Sequence, residues 1–116
     1  MEIIDAVKSL SALAHEGRLK VFRLLVSAGP SGMAAGEIAR RVGTPANTLS
    51  SNLALLAHAA LVQSRRDGRS IIYVARFERM GALMAFLADD CCGGAAEVCA
   101  PVAAAAARSR CVSVEA

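Results

Sequence analysis

The sequence predicts a mostly α fold with a β-hairpin wing (α+β), built around a helix-turn-helix, and three observations predict it. Residues 36–60 read as two short helices joined by a tight turn. Residues 61–75 read as two β-rich runs around Asp67-Gly68. Most other stretches place apolar residues at helical spacing, in a chain of 116 residues that is 55% hydrophobic but only 3% aromatic. With so few rings, the core has to come from Leu, Ile, Val and Ala in packed helices, and 116 residues make one domain.

In the helix-turn-helix, Ile38, Ala39 and Val42 share one side of the first helix, and Gly43 ends it where a positive φ is needed. Thr44 suits an N-cap and Pro45 the first helical position. The second helix carries Leu49, Leu53 and Leu56 on one stripe with Leu55 beside it, which marks the buried face. Its other face shows Asn47, Thr48, Ser50, Ser51 and Asn52. Such short, uncharged hydrogen-bonding side chains suit base edges and phosphates in a DNA major groove. In the hairpin that follows, Asp67-Gly68 signals a two-residue turn, and Arg65, Arg66 and Arg69 cluster at its tip. An arginine-tipped hairpin directly after a recognition helix is a wing.

The other helices are read from periodicity. Residues 2–14 place Ile3, Val7, Leu10 and Ala14 on one stripe, with Ile4 and Leu13 nearby. Residues 16–28 place Leu19, Phe22, Leu25 and Val26 inward and Arg18, Lys20 and Arg23 outward. Gly29-Pro30-Ser31-Gly32 is a turn. Residues 77–92 put Phe77, Met80, Met84, Leu87 and Cys91 at steps of 3, 4, 3 and 4, a narrow seam of the kind two helices share. The division is a 1–92 winged helix-turn-helix domain, to which the family resemblance described below adds dimerisation, and a cysteine-containing tail at 93–116.

The net charge of +3 is unevenly placed. Residues 40–79 hold seven arginines against two acids, net +5, while the remainder is net −2. Positive charge thus coincides with the reading head, as a phosphate-binding surface requires. The start carries acids and no apolar block, and no apolar run reaches the roughly 20 residues that span a bilayer. A cytoplasmic protein with no membrane partner is expected, in which four cysteines are thiols or metal ligands rather than disulfides. No catalytic triad or phosphate loop is visible, so an enzyme is not expected. His15 and His58 read as surface or capping residues.

Cys91 and Cys92 end the last helix, Gly93-Gly94 permit a reversal, and Cys99 returns a third thiol. Three thiolates without a histidine select a soft centre. A three-coordinate ion such as As(III) needs only these, whereas zinc prefers a fourth ligand. Asp89 and Asp90 solvate the helix end, and Cys111 is read as a spectator.

The chain resembles the ArsR/SmtB family of winged-helix metalloregulators, dimeric bacterial repressors. The resemblance spans roughly residues 5–90 and rests on Leu13-Ala14-His15-Glu16-Gly17-Arg18-Leu19, the Pro45–Leu56 recognition segment, Ala60-Leu61-Val62 and Arg69-Ser70-Ile71-Ile72-Tyr73. It implies a homodimer formed through the first and last helices and an operator of double-stranded DNA as partner. One branch senses arsenite through a vicinal cysteine pair plus a third cysteine just beyond the final helix, which Cys91, Cys92 and Cys99 match. Other branches fit less well. Residues 33–39 lack the Cys-x-Cys of the first reading-head helix, and the last helix lacks a His/Asp zinc pattern. The resemblance therefore implies a repressor released by As(III) or Sb(III) at Cys91, Cys92 and Cys99. The alternatives are release by thiol oxidation, by another soft metal (Cd, Pb, Zn) or by an organoarsenical.

Overall fold

Apolar residues at helical spacing become helices, and glycine, proline and turn residues divide them. The computed structural model describes residues 1–88, 100–101 and 104–105. In order it has α1 (Ile3–Leu13), α2 (Glu16–Ala28), a 3₁₀ turn (Gly29–Ser31), β1 (Met33–Ala34), α3 (Ala35–Val42), α4 (Ala46–His58), β2 (Val62–Asp67), β3 (Ser70–Ala75) and α5 (Phe77–Ala88). Met1–Leu83 form one compact unit, and the last turn of α5 belongs to a second. Among the described residues no helix is long and apolar enough to cross a membrane.

The core lies where α2, α3, α4 and the sheet meet. Val21, Phe22 and Leu25 come from α2, Ile38 from α3, Leu49, Leu53 and Leu56 from α4, and Leu61 and Val62 from the start of the wing. Leu25, Ile38, Leu56 and Leu61 are fully enclosed, and side chains of this kind each supply about 1.5–3 kcal/mol of burial energy. Leu19, expected inward, stands 43% exposed, and Val21 takes its place in the core.

α1 turns its stripe of Ile3, Val7 and Leu10 away from the core. It packs on α2 and α4 through Ala6, Ser9 and Ala12, which are buried. Ile3, Ile4, Val7 and Leu10 are 41–70% exposed. Small side chains let the helix lie close to its neighbours, and that close packing leaves the large ones on the outer side.

The sheet has the order β1-β3-β2, antiparallel throughout. β1 was not expected, because two residues carry no periodicity. It pairs Met33 with Tyr73 and Ala34 with Ile72. Gly32 leads into it at φ +73°, and a Cβ there would lie 2.5 Å from the Tyr73 carbonyl oxygen, so a side chain is excluded. In the hairpin Asp67 pairs with Ser70, so the turn is Gly68-Arg69, one residue later than expected. Gly68 supplies the positive φ of 64°.

α4 ends in an unusual way. Ala60 adopts φ +64°, the one positive φ at a non-glycine among the described residues. Ala60 N–H donates to Ala57 O at 2.9 Å and Leu61 N–H to Leu56 O at 3.0 Å, the paired bonds of a Schellman ending. Leu56 and Leu61, both fully buried, supply the apolar contact that goes with this ending. The strained alanine thereby turns the chain from the recognition helix into the wing. On α5, Phe77 and Met80 pack against the core and Leu83 is buried, whereas Met84 and Leu87 are 54% and 55% exposed. Cys91, the last member of the expected seam, lies outside the described residues.

Candidate nucleic-acid interface

The turn of the helix-turn-helix follows from Gly43, which caps α3 at φ +68° and donates its N–H to Ala39 O at 2.9 Å. Pro45, not Thr44, is the N-cap of α4: its backbone is extended (ψ 151°) and its carbonyl accepts from Leu49 N–H at 2.9 Å. The residue before a proline is held out of the helical region, so Thr44 stays in the turn and its hydroxyl caps nothing. Asn47 Oδ1 instead accepts from Thr48 N–H at 2.9 Å in the first turn.

Leu49, Leu53 and Leu56 anchor α4 with its opposite face outward. Asn47, Thr48, Ser50 and Ser51 are all exposed there, at the N-terminal half of the helix. Asn52 is a correction. It is 6% exposed, and its amide nitrogen lies 3.2 Å from where a Cβ would stand on Gly17. Position 52 falls one residue from Leu53 on the inward stripe, so Asn52 faces the start of α2 and takes no part in an outward reading surface. The absence of a side chain at Gly17 makes room for it. His15 holds that same corner: its Nδ1 accepts from the Gly17 and Arg18 N–H groups at 3.2 and 3.4 Å, capping α2.

The wing presents Arg65, Arg66 and Arg69, all exposed. They are not equivalent. Arg65 Nη2 donates to the Ser31 carbonyl at 3.0 Å, fastening β2 to the 3₁₀ turn. Arg66 and Arg69 flank the turn with no salt bridge to a carboxylate among the described residues. On α3, Arg40 and Arg41 both pair with Glu37, Arg41 Nε at 2.8 Å, which spends part of their charge. The role of Ser31 in holding the wing had no signal in the sequence, because the contact joins residues 34 apart. What the arrangement offers chemically is a ridge of hydrogen-bonding side chains on α4 together with an arginine-bearing hairpin, the layout for base edges and phosphates together. Cys91, Cys92 and Cys99 lie outside the described residues. Among the described residues no group of three His, Cys, Asp or Glu is placed to hold a metal.

A family described as a helix-turn-helix domain matches residues 13–65. The HTH-type transcriptional regulator YgaV of Escherichia coli (strain K12) is 33% identical over 88 residues, covering 76% of this chain and 87% of its own. Among solved structures, a homodimeric winged helix-turn-helix DNA-binding domain from Mycobacterium bovis, described as a possible ArsR-family transcriptional regulator, is 31% identical. It covers 76% of this chain and 82% of that one, with a TM-score of 0.61. The transcriptional repressor BigR from Xylella fastidiosa is 27% identical, covers 68% of this chain and 79% of that one, and has a TM-score of 0.56. With this likeness extending over most of both chains, and α4 and the wing placed as described, the chain belongs to the ArsR/SmtB-type winged helix-turn-helix transcriptional regulators, which are not enzymes.

Proposed function

We propose that the protein is a homodimeric repressor that leaves its operator DNA when As(III), or the chemically similar Sb(III), binds Cys91, Cys92 and Cys99. The observation that carries the inducer is the sequence Cys91-Cys92-Gly93-Gly94 followed by Cys99: three thiols in nine residues, with a glycine pair that lets the chain reverse. A trivalent soft ion takes its affinity from sulfur and needs no fourth ligand. The outward polar face of α4 beside Arg66 and Arg69 supports DNA as the partner, and a repressor among the structural relatives supports the direction of control. The exposed apolar residues of α1, with Met84 and Leu87 on α5, support a second copy of the chain as the other partner. Closing three sulfurs on one ion next to such an interface biases the geometry of the two reading heads. An effector of this kind supplies about 1–3 kcal/mol of coupling, and two sites per dimer add.

The test is a gel-shift titration of the reduced protein on its operator with arsenite, cadmium, zinc and peroxide in parallel. Arsenite releases the DNA, and single Ser replacements at Cys91, Cys92 or Cys99 abolish that release while leaving metal-free binding intact. Cys111→Ser changes neither. Release by peroxide but not by arsenite assigns the thiols to redox sensing. Unaltered arsenite release in all three mutants removes the site.

A further inference from the structure

We infer that Arg65 is a positioning residue for DNA binding: its bond to the Ser31 carbonyl sets the direction in which the wing carries Arg66 and Arg69. The inference rests on DNA as the partner, and it takes Arg65 out of the phosphate contacts made by the wing. The strand register shows why a clamp is useful at this place. β1 pairs with β3 through Met33 with Tyr73 and Ala34 with Ile72. Arg65 pairs with Ile72 from the other side, so Arg65, Ile72 and Ala34 form the last three-stranded rung. Beyond it Arg66 pairs with Ile71 and Asp67 with Ser70, and among the described residues no third strand covers them. A two-stranded ribbon is marginally stable by itself in water, so the outer part of the wing takes its direction from its root. Arg65 stands at that root.

The bond also crosses the sheet. Arg65 belongs to β2, Ser31 lies just before β1, and β3 runs between them. The 3.0 Å contact of Nη2 with the Ser31 carbonyl therefore joins the two outer strands over the middle one. Gly32 brings the carbonyl within reach. A Cβ there would lie 2.9 Å from Ile72 Cγ2 and 2.7 Å from Val74 Cγ2, so only bare backbone can lie this close to β3. Residues paired across neighbouring strands project to the same face, which puts Arg65 on the Ile72 side, where Gly32 lies. Arg66, one residue further along β2, projects to the opposite face, and Arg69 sits in the turn. A guanidinium held on a carbonyl is a charge-assisted bond, and a wing fixed in advance has less freedom to lose on DNA. Arg65 thus acts on DNA through the two arginines it aims.

The test compares Arg65→Met with Arg66→Met and with the double variant Arg66→Met/Arg69→Met in the full-length reduced protein. Amide order parameters are read by ¹⁵N relaxation without DNA. Affinity for a mixed-sequence DNA duplex is read by fluorescence anisotropy across a salt series. Arg65→Met, at an exposed position, keeps the circular dichroism spectrum. It shifts the Gly32 amide, whose peptide group carries the Ser31 carbonyl, and lowers the order parameters of Gly68 and Arg69 below about 0.6. Arg66→Met does neither. On DNA, Arg65→Met weakens binding roughly fivefold with an unchanged salt slope, since no phosphate contact is lost. Arg66→Met flattens the slope by about 0.9. In the Arg66→Met/Arg69→Met background, Arg65→Met changes affinity by less than about twofold, because the side chains it acts through are gone. Unchanged order parameters at Gly68 and Arg69 in Arg65→Met overturn the inference. So does a salt slope that flattens in Arg65→Met as it does in Arg66→Met, or a loss that persists undiminished in the double background. The order parameters need no DNA and no reading uses arsenite, so failure here is distinct from failure of the proposed function.

Discussion

α1 and α4 treat their apolar residues in opposite ways. α4 buries Leu49, Leu53 and Leu56 and shows solvent Asn47, Thr48, Ser50 and Ser51. α1 buries Ala6, Ser9 and Ala12 and shows solvent Ile3, Ile4, Val7 and Leu10. A leucine stripe on α4 is satisfied within the chain. A stripe of large residues on α1 is not. Four large apolar side chains in three turns are more than scattered surface hydrophobics and mark an interaction surface. A periodic stripe thus says that a helix face is covered, but not by which chain.

The widest separation between the two helices is expected from a charge placed on each stripe. Leu56→Asp loses burial energy and leaves an unpaired charge in the centre of the core, together more than a domain stabilised by about 5–15 kcal/mol withstands. Circular dichroism should show no folded protein at room temperature. Ile4→Asp combined with Val7→Asp should leave the helical spectrum intact and convert the proposed dimer to monomer in sedimentation, with operator affinity falling as two half-sites are no longer read together. Unfolding of the α1 double mutant, or a dimer that survives it, would break the comparison.

A smaller effect separates the two faces of α4 itself. Asn47→Ala should relax base preference by about 1–3 kcal/mol at one operator position with little change in melting temperature. Asn52→Ala should do the reverse, lowering stability while the preferred sequence is retained, because its side chain is buried against the start of α2. A selection experiment on randomised operator half-sites, with a thermal melt of each mutant, reads both.

The smallest effect lies at the end of α4. Ala60→Gly removes the cost of a left-handed alanine, about 1 kcal/mol, less what glycine loses in the unfolded chain. Urea unfolding should show a gain of some tenths to about 1 kcal/mol with an unchanged slope. A loss of stability would mean that the alanine methyl packs usefully enough to offset its strain.

Much of the fold was legible because its signals are local. Gly43 ends α3, Pro45 opens α4 within one residue of the expected start, and Gly68 turns the wing. Each acts through its own backbone preference, which is the same in any context. The α2 boundaries are likewise those expected, 16–28. The outward polar face of α4 was legible for four of its five residues, since the leucine stripe orients the rest.

What the sequence determined by itself is the set of helices, the hairpin and the placement of positive charge near the reading head, all consequences of short-range periodicity and turn chemistry. Tertiary structure alone decided the rest. It buried Asn52 because Gly17, 35 positions away, leaves room for an amide. It tied Arg65 to the Ser31 carbonyl, and it added β1 by pairing two residues with β3. It also set α1 with its small residues inward. Periodicity separates the two faces of that helix, and only the neighbours it packs against determine which face turns toward the core.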